Sequence, residues 1–248
     1  MQICPTKPAA VAALVGLALG APLAVFAQEV PLKEAKLNIE HNATDNDTGY
    51  QGAIDSEGWG SLTVTGPGGV ILELTPRGEL ATLGMTELFF ETVEPENAEV
   101  PIEDMLAIMP EGDYLIEGPV VESLGGGTTS GTAWLTHNIP AGAVLLTPAE
   151  GAVVPLGDLV MSWGPVTETI TGEPVNIIAY ELIIEKVGDP DPNMIGKPNS
   201  LSMHVRPSVN EITISAEFFE PGSPYAWEIL AVEESGNQTL ASGEFATE

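Results

Sequence analysis

Short runs of alternating apolar and polar residues recur along this chain, and Gly, Pro, Asn and Asp interrupt them. Residues 201–205 (LSMHV) and 211–215 (EITIS) alternate in this way, and Gly-Pro-Gly-Gly at 66–69 separates two similar runs. Alternation with a period of two predicts strands with one buried face, and such interruptions predict turns. No long amphipathic helical pattern is present in the sequence. We therefore predict an all-β fold.

The chain of 248 residues divides best at residues 139–142, Ile-Pro-Ala-Gly, which follow an alternating run. The segments 28–139 and 140–248 each have the length of one sandwich domain. We predict two tandem β-sandwich (immunoglobulin-like) domains joined by a short connection. One short helix is expected at 101–109, where a proline and then two acids precede an apolar run. Predicted strands in the first segment are 36–43, 50–55, 61–65, 70–75, 87–93, 113–117 and 132–138.

The amino terminus has the pattern of a secretory leader. Lys7 precedes residues 9–27, which carry no charge, and Val-Phe-Ala at 25–27 resembles a cleavage site. An uncleaved membrane anchor is the alternative, although the run is rich in Ala and Gly. Cys4 is the only cysteine and lies before this run, so residues 28–248 contain no disulfide. We expect residues 1–27 to be a signal peptide, and the mature chain to be secreted (periplasmic or extracellular) without stable membrane insertion.

The charge balance excludes some partners. The chain has 36 Asp and Glu against 7 Lys and Arg, a formal net charge of −29. Nucleic-acid binding needs clustered Lys and Arg to contact phosphates. Anionic membrane surfaces likewise require a basic cluster. We therefore predict no nucleic-acid partner, and an unknown protein or glycan partner instead.

Residues in the second segment resemble a known family. Trp163, Tyr180 and the pattern F-x-P-G-x-x-Y-x-W-x-I-x-A at 219–231 are similar to a fibronectin type III domain. The resemblance implies that Trp163 lies between two sheets and that the Tyr225 hydroxyl bonds to upstream backbone, forming a tyrosine corner. Residues 187–200 are longer than the usual connection, and no Arg-Gly-Asp is present. Residues 86–118 are similar to uncharacterised secreted bacterial proteins, which implies a bacterial envelope or extracellular setting.

One loop has some features of a calcium site. Asp45, Asp47 and Gly49 form D-x-D-x-G, and calcium prefers several oxygen ligands on a turning backbone. A complete EF-hand loop would need Gly and Glu where Tyr50 and Ser56 stand. A polar turn between two strands is the alternative interpretation. The three histidines, at 41, 137 and 204, have no metal-ligand spacing. We predict no metal, catalytic or cofactor-binding residue and no cofactor.

The four tryptophans are the residues on which a carbohydrate-binding function would depend. Trp163 is assigned to the core, whereas Trp134 and Trp227 fall in predicted strands. Trp59 lies between two glycines, so we expect it in a flexible setting, where it either stacks on a sugar or folds over the edge of the core. No G-x-S-x-G motif is present, so we predict that the protein is not an enzyme. The leading hypothesis is a secreted binding or structural protein, and the alternative is an accessory carbohydrate-binding protein.

The leader makes a testable prediction. Mass spectrometry of protein recovered outside the cytoplasm should give Gln28 as the first residue, because cleavage is expected after Ala27. An intact chain beginning at Met1 in the membrane fraction would contradict this prediction and favour the anchor.

Overall fold

The structure is a computed structural model that describes residues 29–188, 192–193 and 199–248. The predicted leader and most of the 187–200 connection lie outside the described residues. The strands of the first half are β1 (Glu29–Pro31), β2 (Glu34–Asn42), β3 (Asp47–Trp59), β4 (Leu62–Gly66), β5 (Gly69–Leu74), β6 (Met85–Glu91), β7 (Gly112–Pro119) and β8 (Thr128–Leu135). Those of the second half are β9 (Leu145–Thr147), β10 (Ala152–Val154), β11 (Leu159–Trp163), β12 (Ile177–Lys186), β13 (Ser200–Val205), β14 (Glu211–Ile214), β15 (Pro224–Glu233) and β16 (Gln238–Thr247).

The predicted all-β class is confirmed, with one correction on helices. The structure has two short helices in the first half, α1 (Glu79–Leu83) and α2 (Ile102–Ile108), where only the second was predicted. Helix α1 buries no residue and lies between two glycines with positive φ, so it leaves no apolar periodicity in the sequence. Helix α2 buries Met105, whose carbonyl accepts a hydrogen bond of 2.8 Å from the Tyr50 hydroxyl. This helix therefore covers one end of the first sandwich.

Three sheets make up the described part of the chain. A five-stranded sheet has the order β1-β8-β7-β4-β5, and a three-stranded sheet has the order β14-β11-β9. The largest sheet runs β13-β12-β15-β16-β2-β3-β6, with β10 also paired to β16. Strands β16 and β2 come from different halves and pair in parallel, with Gln238 opposite Glu40 and Leu240 opposite Asn42. One sheet therefore continues from one half of the chain into the other.

Each half buries its own apolar cluster. In the first half, Ile39, Ile54, Tyr114 and Leu135 are each at most 1% exposed and come from both facing sheets. Burial alternates along both strands: on β2 the buried Leu37 and Ile39 alternate with less buried polar residues, and on β8 the buried Ala133 and Leu135 flank an exposed residue. The cluster of the second half includes Met161, Leu182 and Ile229, again from two sheets. Both halves are therefore sandwiches, while their status as separate folding domains stays a prediction.

The second sandwich has a fibronectin type III-like arrangement of core residues. Trp163 is 1% exposed, and its ring meets Tyr180 edge-on at 5.7 Å between centroids. The Tyr180 hydroxyl accepts a hydrogen bond of 2.8 Å from the Val166 N–H. Tyr225 is fully buried, and its hydroxyl accepts a hydrogen bond of 2.7 Å from the Glu220 N–H, five residues upstream. The core tryptophan and the tyrosine corner are thus where the resemblance predicts them.

These contacts predict the effects of two substitutions. Trp163→Ala should lower the free energy of unfolding by about 3–5 kcal/mol, because it empties a large buried site. Tyr225→Phe should cost about 1–3 kcal/mol, because the Glu220 N–H loses its acceptor. Urea denaturation gives both values, and Trp134→Ala, on an exposed side chain, is the control. A midpoint that Trp163→Ala leaves unmoved would refute the core assignment.

Candidate functional site

Trp134 is the tryptophan that the fold leaves on the surface. It lies on β8, where its neighbours Ala133 and Leu135 point into the first core and are at most 2% exposed. The Trp134 side chain consequently points outward and is 66% exposed, whereas each of the other three tryptophans is at most 1% exposed. A large flat ring is thus presented to solvent from a paired strand, which holds its backbone in place.

The sequence places Trp59 in a flexible setting, and that expectation is wrong. It is the last residue of β3, pairs with Met85 of β6 and is fully buried in the first core. The flanking glycines suggested a loop, but Gly58 serves close packing instead. A Cβ on Gly58 would lie 2.7 Å from the Leu124 side chain, and its φ of +156° is one that residues other than glycine rarely adopt. Trp59 is therefore not a surface platform.

Two hollows meet at Trp134, where the first sandwich borders the turn between β15 and β16. The larger hollow, of about 560 Å³, is also lined by Thr136, Asn138 and Glu233. The smaller hollow, of about 220 Å³, reaches Asn38 of β2 and Ile178 of β12. Trp134, Glu234 and Ser235 line both. We call these two hollows together the junction groove.

A buried carboxylate fixes the turn that forms one wall of the groove. Glu233 is 1% exposed and accepts hydrogen bonds from the N–H groups of Ser235 (3.0 Å) and Asn237 (3.1 Å). The Ser235 hydroxyl also donates to Glu233 and lies 2.6 Å from the Thr136 hydroxyl on the other side of the groove. Glu233 is therefore engaged in holding the turn, whereas Glu234 is exposed and bonds to the Asn176 amide.

Asn237 connects this turn to the first sandwich. Its amide oxygen accepts a hydrogen bond of 2.8 Å from the Ile39 N–H. Its amide nitrogen donates to the carbonyls of Thr136 (2.9 Å) and Asn138 (3.1 Å). Asn237 is only 1% exposed, and its contact with the Ile39 N–H is buried. These hydrogen bonds hold the β15–β16 turn against the first sandwich, and the turn and the sandwich form the two walls of the groove.

A second cluster contains oxygens without donors. One side-chain oxygen each of Asp47, Glu94 and Asn97 is buried and has no hydrogen-bond partner. Asp47 pairs with Glu96, and the Asn97 N–H donates to the Asn46 carbonyl, so the loop after β6 lies against the start of β3. We call these three residues the acceptor cluster. Linear spacing did not indicate Glu94 or Asn97, because only the pairing of β3 with β6 brings them here.

The predicted D-x-D-x-G loop is a turn organised by Asn42. The Asn42 amide oxygen accepts hydrogen bonds from the N–H groups of Thr44 (2.9 Å) and Asp45 (3.0 Å), and its amide nitrogen donates to the Asp45 carboxylate. Asp45 is thereby engaged in the turn, while Asp47 belongs to the acceptor cluster.

Carboxylates around the acceptor cluster crowd one another. Oxygens of Glu40, Glu91 and Glu94 lie within 4.8 Å of each other, a spacing that could hold a metal ion. Burial raises the pKa of Glu94 to about 7, and the nearby charges of Glu40, Glu91 and Asp47 add to this. Burial also raises the pKa of Glu40, against the opposing effect of a hydrogen bond from Gln238. Glu94 is therefore a carboxyl group that takes up a proton near neutral pH.

The histidines do not come together. His41 is 7% exposed, its Nδ1 lies 2.9 Å from the Asp47 carbonyl oxygen, and burial lowers its pKa. The His137 Nε2 lies 2.9 Å from the Met109 carbonyl oxygen, and His204 is exposed beside Glu181. Each makes a separate local contact, which accords with their lack of metal-ligand spacing.

Comparisons with known proteins give structural neighbours only. No family model and no curated protein matches the chain. The FN1–FN3 domains of chicken CNTN1 align with 90% of this chain at 10% identity and a TM-score of 0.33, and the chain spans 66% of their length. A two-domain fibronectin type III segment of chicken tenascin aligns with 87% of this chain at 12% identity and a TM-score of 0.30, over 98% of its own length. In the described residues, no helix is long and apolar enough to cross a membrane.

The acceptor cluster predicts a pH dependence of stability. The folded-state pKa of Glu94, about 7, exceeds its ordinary value of 4.5, so folding favours the protonated form. Its contribution is complete below about pH 4.5 and is lost as the pH rises towards 7. Glu94→Gln should therefore raise the melting temperature at pH 8 and have little effect at pH 4.5. Thermal melts across this range measure the difference.

The control for this prediction is Glu99→Gln, an exposed glutamate in the same loop. Equal effects of both variants at pH 8 would mean that general charge reduction, rather than the acceptor cluster, governs the shift. Calcium stabilisation beyond that of sodium at matched ionic strength, abolished by Asp47→Asn, would instead assign the cluster to a cation. We expect the two salts to act alike.

Proposed function

We propose that this protein is a non-enzymatic binding protein that works outside the cytoplasm and recognises a glycan at the junction groove. The observation that carries the proposal is the exposed Trp134 ring between polar walls. Apolar faces of sugars stack on flat aromatic rings, while their hydroxyls bond to carboxylates and amides. The groove offers both kinds of contact, through Trp134, Asn138 and Glu234.

The leader-like sequence at residues 1–27 supports an extracytoplasmic site of action. The absence of cysteine from residues 28–248 is compatible with that site, since the fold needs no disulfide there. The fibronectin type III-like fold supports an extracellular binding or structural role. A bacterial source is part of the same proposal and rests on the resemblance of residues 86–118.

The state of the groove carboxylates supports binding without hydrolysis. A glycosidase needs two carboxyl groups free to face the scissile bond, one as an acid and one as a base or nucleophile. Glu233 is buried and already accepts three hydrogen bonds within its own turn. Among the residues that line the groove, Glu234 is the carboxylate left facing solvent. One solvent-facing carboxylate among the lining residues supports binding over hydrolysis.

Binding to polysaccharides tests the proposal. Wild-type protein should be retained on at least one member of a panel of insoluble polysaccharides, and Trp134→Ala should weaken that retention at least tenfold, about 1.4 kcal/mol. The expected cause is loss of the stacking face. Phe89→Ala is the matched control, because Phe89 is 63% exposed on another strand, β6, away from the groove.

Retention equal in Trp134→Ala and wild type would refute the groove as the binding site. Release of reducing sugars during the incubation would refute the non-enzymatic part of the proposal. Near-ultraviolet circular dichroism should be checked for both variants, and we expect their core signals to match those of the wild type because both substituted rings are exposed.

A further inference from the structure

The two hollows of the junction groove indicate the shape of a ligand that would fill them. Trp134, Glu234 and Ser235 line both hollows. A ligand that fills both hollows therefore contacts this shared set, which includes the Trp134 ring. Away from the shared residues, one hollow reaches Asn138 and the other reaches Asn38, so each offers an amide for polar contacts. An elongated ligand fits this arrangement better than a compact one.

The charges beside Trp134 have one predominant sign. Asp113 of β7 lies directly opposite Trp134 in the pairing of β7 with β8, and both residues are exposed. Glu233 and Glu234 add two more carboxylates. Lys36 is the basic residue among those lining the two hollows, and its ammonium group pairs with Glu34. A ligand that carries carboxylates or sulfates would meet repulsion here.

The apolar part of the groove is too small for a protein partner of standard size. Stable protein interfaces bury about 800 Å² on each side around a hydrophobic centre. In the groove, the exposed large apolar side chains are Trp134 and Ile178, and amides, hydroxyls and carboxylates surround them. One aromatic face with many hydrogen-bond acceptors matches a polyhydroxyl ligand, whose hydroxyl groups supply the donors.

We infer, as a deepening of the proposed function, that the junction groove binds an uncharged glycan along an internal stretch that passes over Trp134. One sugar unit stacks on the ring, and the units on either side of it occupy the two hollows. Glu234 accepts hydrogen bonds from the central unit, because it lines both hollows. The groove thus selects against acidic glycans and does not require a chain end.

Oligosaccharide titrations test this inference. The probes are uncharged gluco-, xylo-, manno- and N-acetylchito-oligosaccharides of two to six units, with oligogalacturonates of the same lengths as acidic counterparts. Titration calorimetry at 0.15 M sodium chloride with the whole secreted protein should show saturable binding of one uncharged series. Affinity should rise at least tenfold from two to five units, and modification of the reducing end should change it less than twofold. Oligogalacturonates should bind at least tenfold more weakly.

Variants give the second readout. Trp134→Ala should reduce the affinity for the uncharged series at least tenfold, Trp134→Phe should restore part of it, and Phe89→Ala should change nothing. Glu234→Lys should narrow the gap between uncharged and acidic series, because it reverses the sign of the charge shared by both hollows. Glu99→Lys, an equal change of charge away from the groove, should leave that gap in place.

The outcomes separate this inference from the proposed function. Stronger binding of the acidic series, lost in Trp134→Ala, would overturn the inference and leave the proposed function standing. Equal affinity for oligosaccharides of two and six units, or binding that depends on a free chain end, would overturn binding along an internal stretch. The proposed function would again stand. Oligosaccharide binding that ignores Trp134, or no binding of either series, would overturn both.

Discussion

The side-chain amide of Asn237 is the contact on which the junction of the two sandwiches depends. It bonds at once to the backbone of β2, at Ile39, and to the two carbonyls that follow β8. The contact with the Ile39 N–H is buried, and leaving that group unpaired would cost about 1–3 kcal/mol. The amide therefore fixes the first residues of β16 against β2. The turn that precedes it, with Ser235, is thereby held beside Trp134.

The Asn237 contacts lie at the start of the parallel pairing of β16 with β2. This pairing leaves neither of the two strands with an open edge on that side. Gln238, the first residue of β16, lies opposite Glu40 and donates a hydrogen bond to its carboxylate. Thr239 donates to the carbonyl of Pro140, which holds the connection between the halves against the same strand. Unpaired strand edges tend to associate with other chains, so pairing them internally also protects the molecule from aggregation. A site formed between two sandwiches gains rigidity from this shared sheet.

Patterns within short stretches of the sequence predicted the features that depend on neighbouring residues along the chain. Alternation and turn residues indicated the longer strands of the second sandwich, such as β15 and β16, because their burial repeats with a two-residue period. The strands β9 and β10, of three residues each, are too short to show that period. Trp59 was misplaced because flanking glycines indicate a loop as well as close packing, and only the neighbouring Leu124 distinguishes the two. The junction groove could not be predicted. Its walls come from β2, β8 and the β15–β16 turn, and the Ile39–Asn237 contact that joins them spans 198 residues.

The exposed Trp134 ring differs from most of the exposed apolar side chains of this chain. Single surface valines and leucines are ordinary in soluble proteins, and this chain has several, such as Val93 and Leu83. A tryptophan is different, because its ring exposes a large apolar area and no core position in this fold requires it there. On β8 the outward-facing residue before Trp134 is the exposed Thr132, and the half-buried Thr136 follows just after the strand ends. Folding alone would be served by another threonine, and the proposed stacking on a sugar gives the ring a role that packing does not.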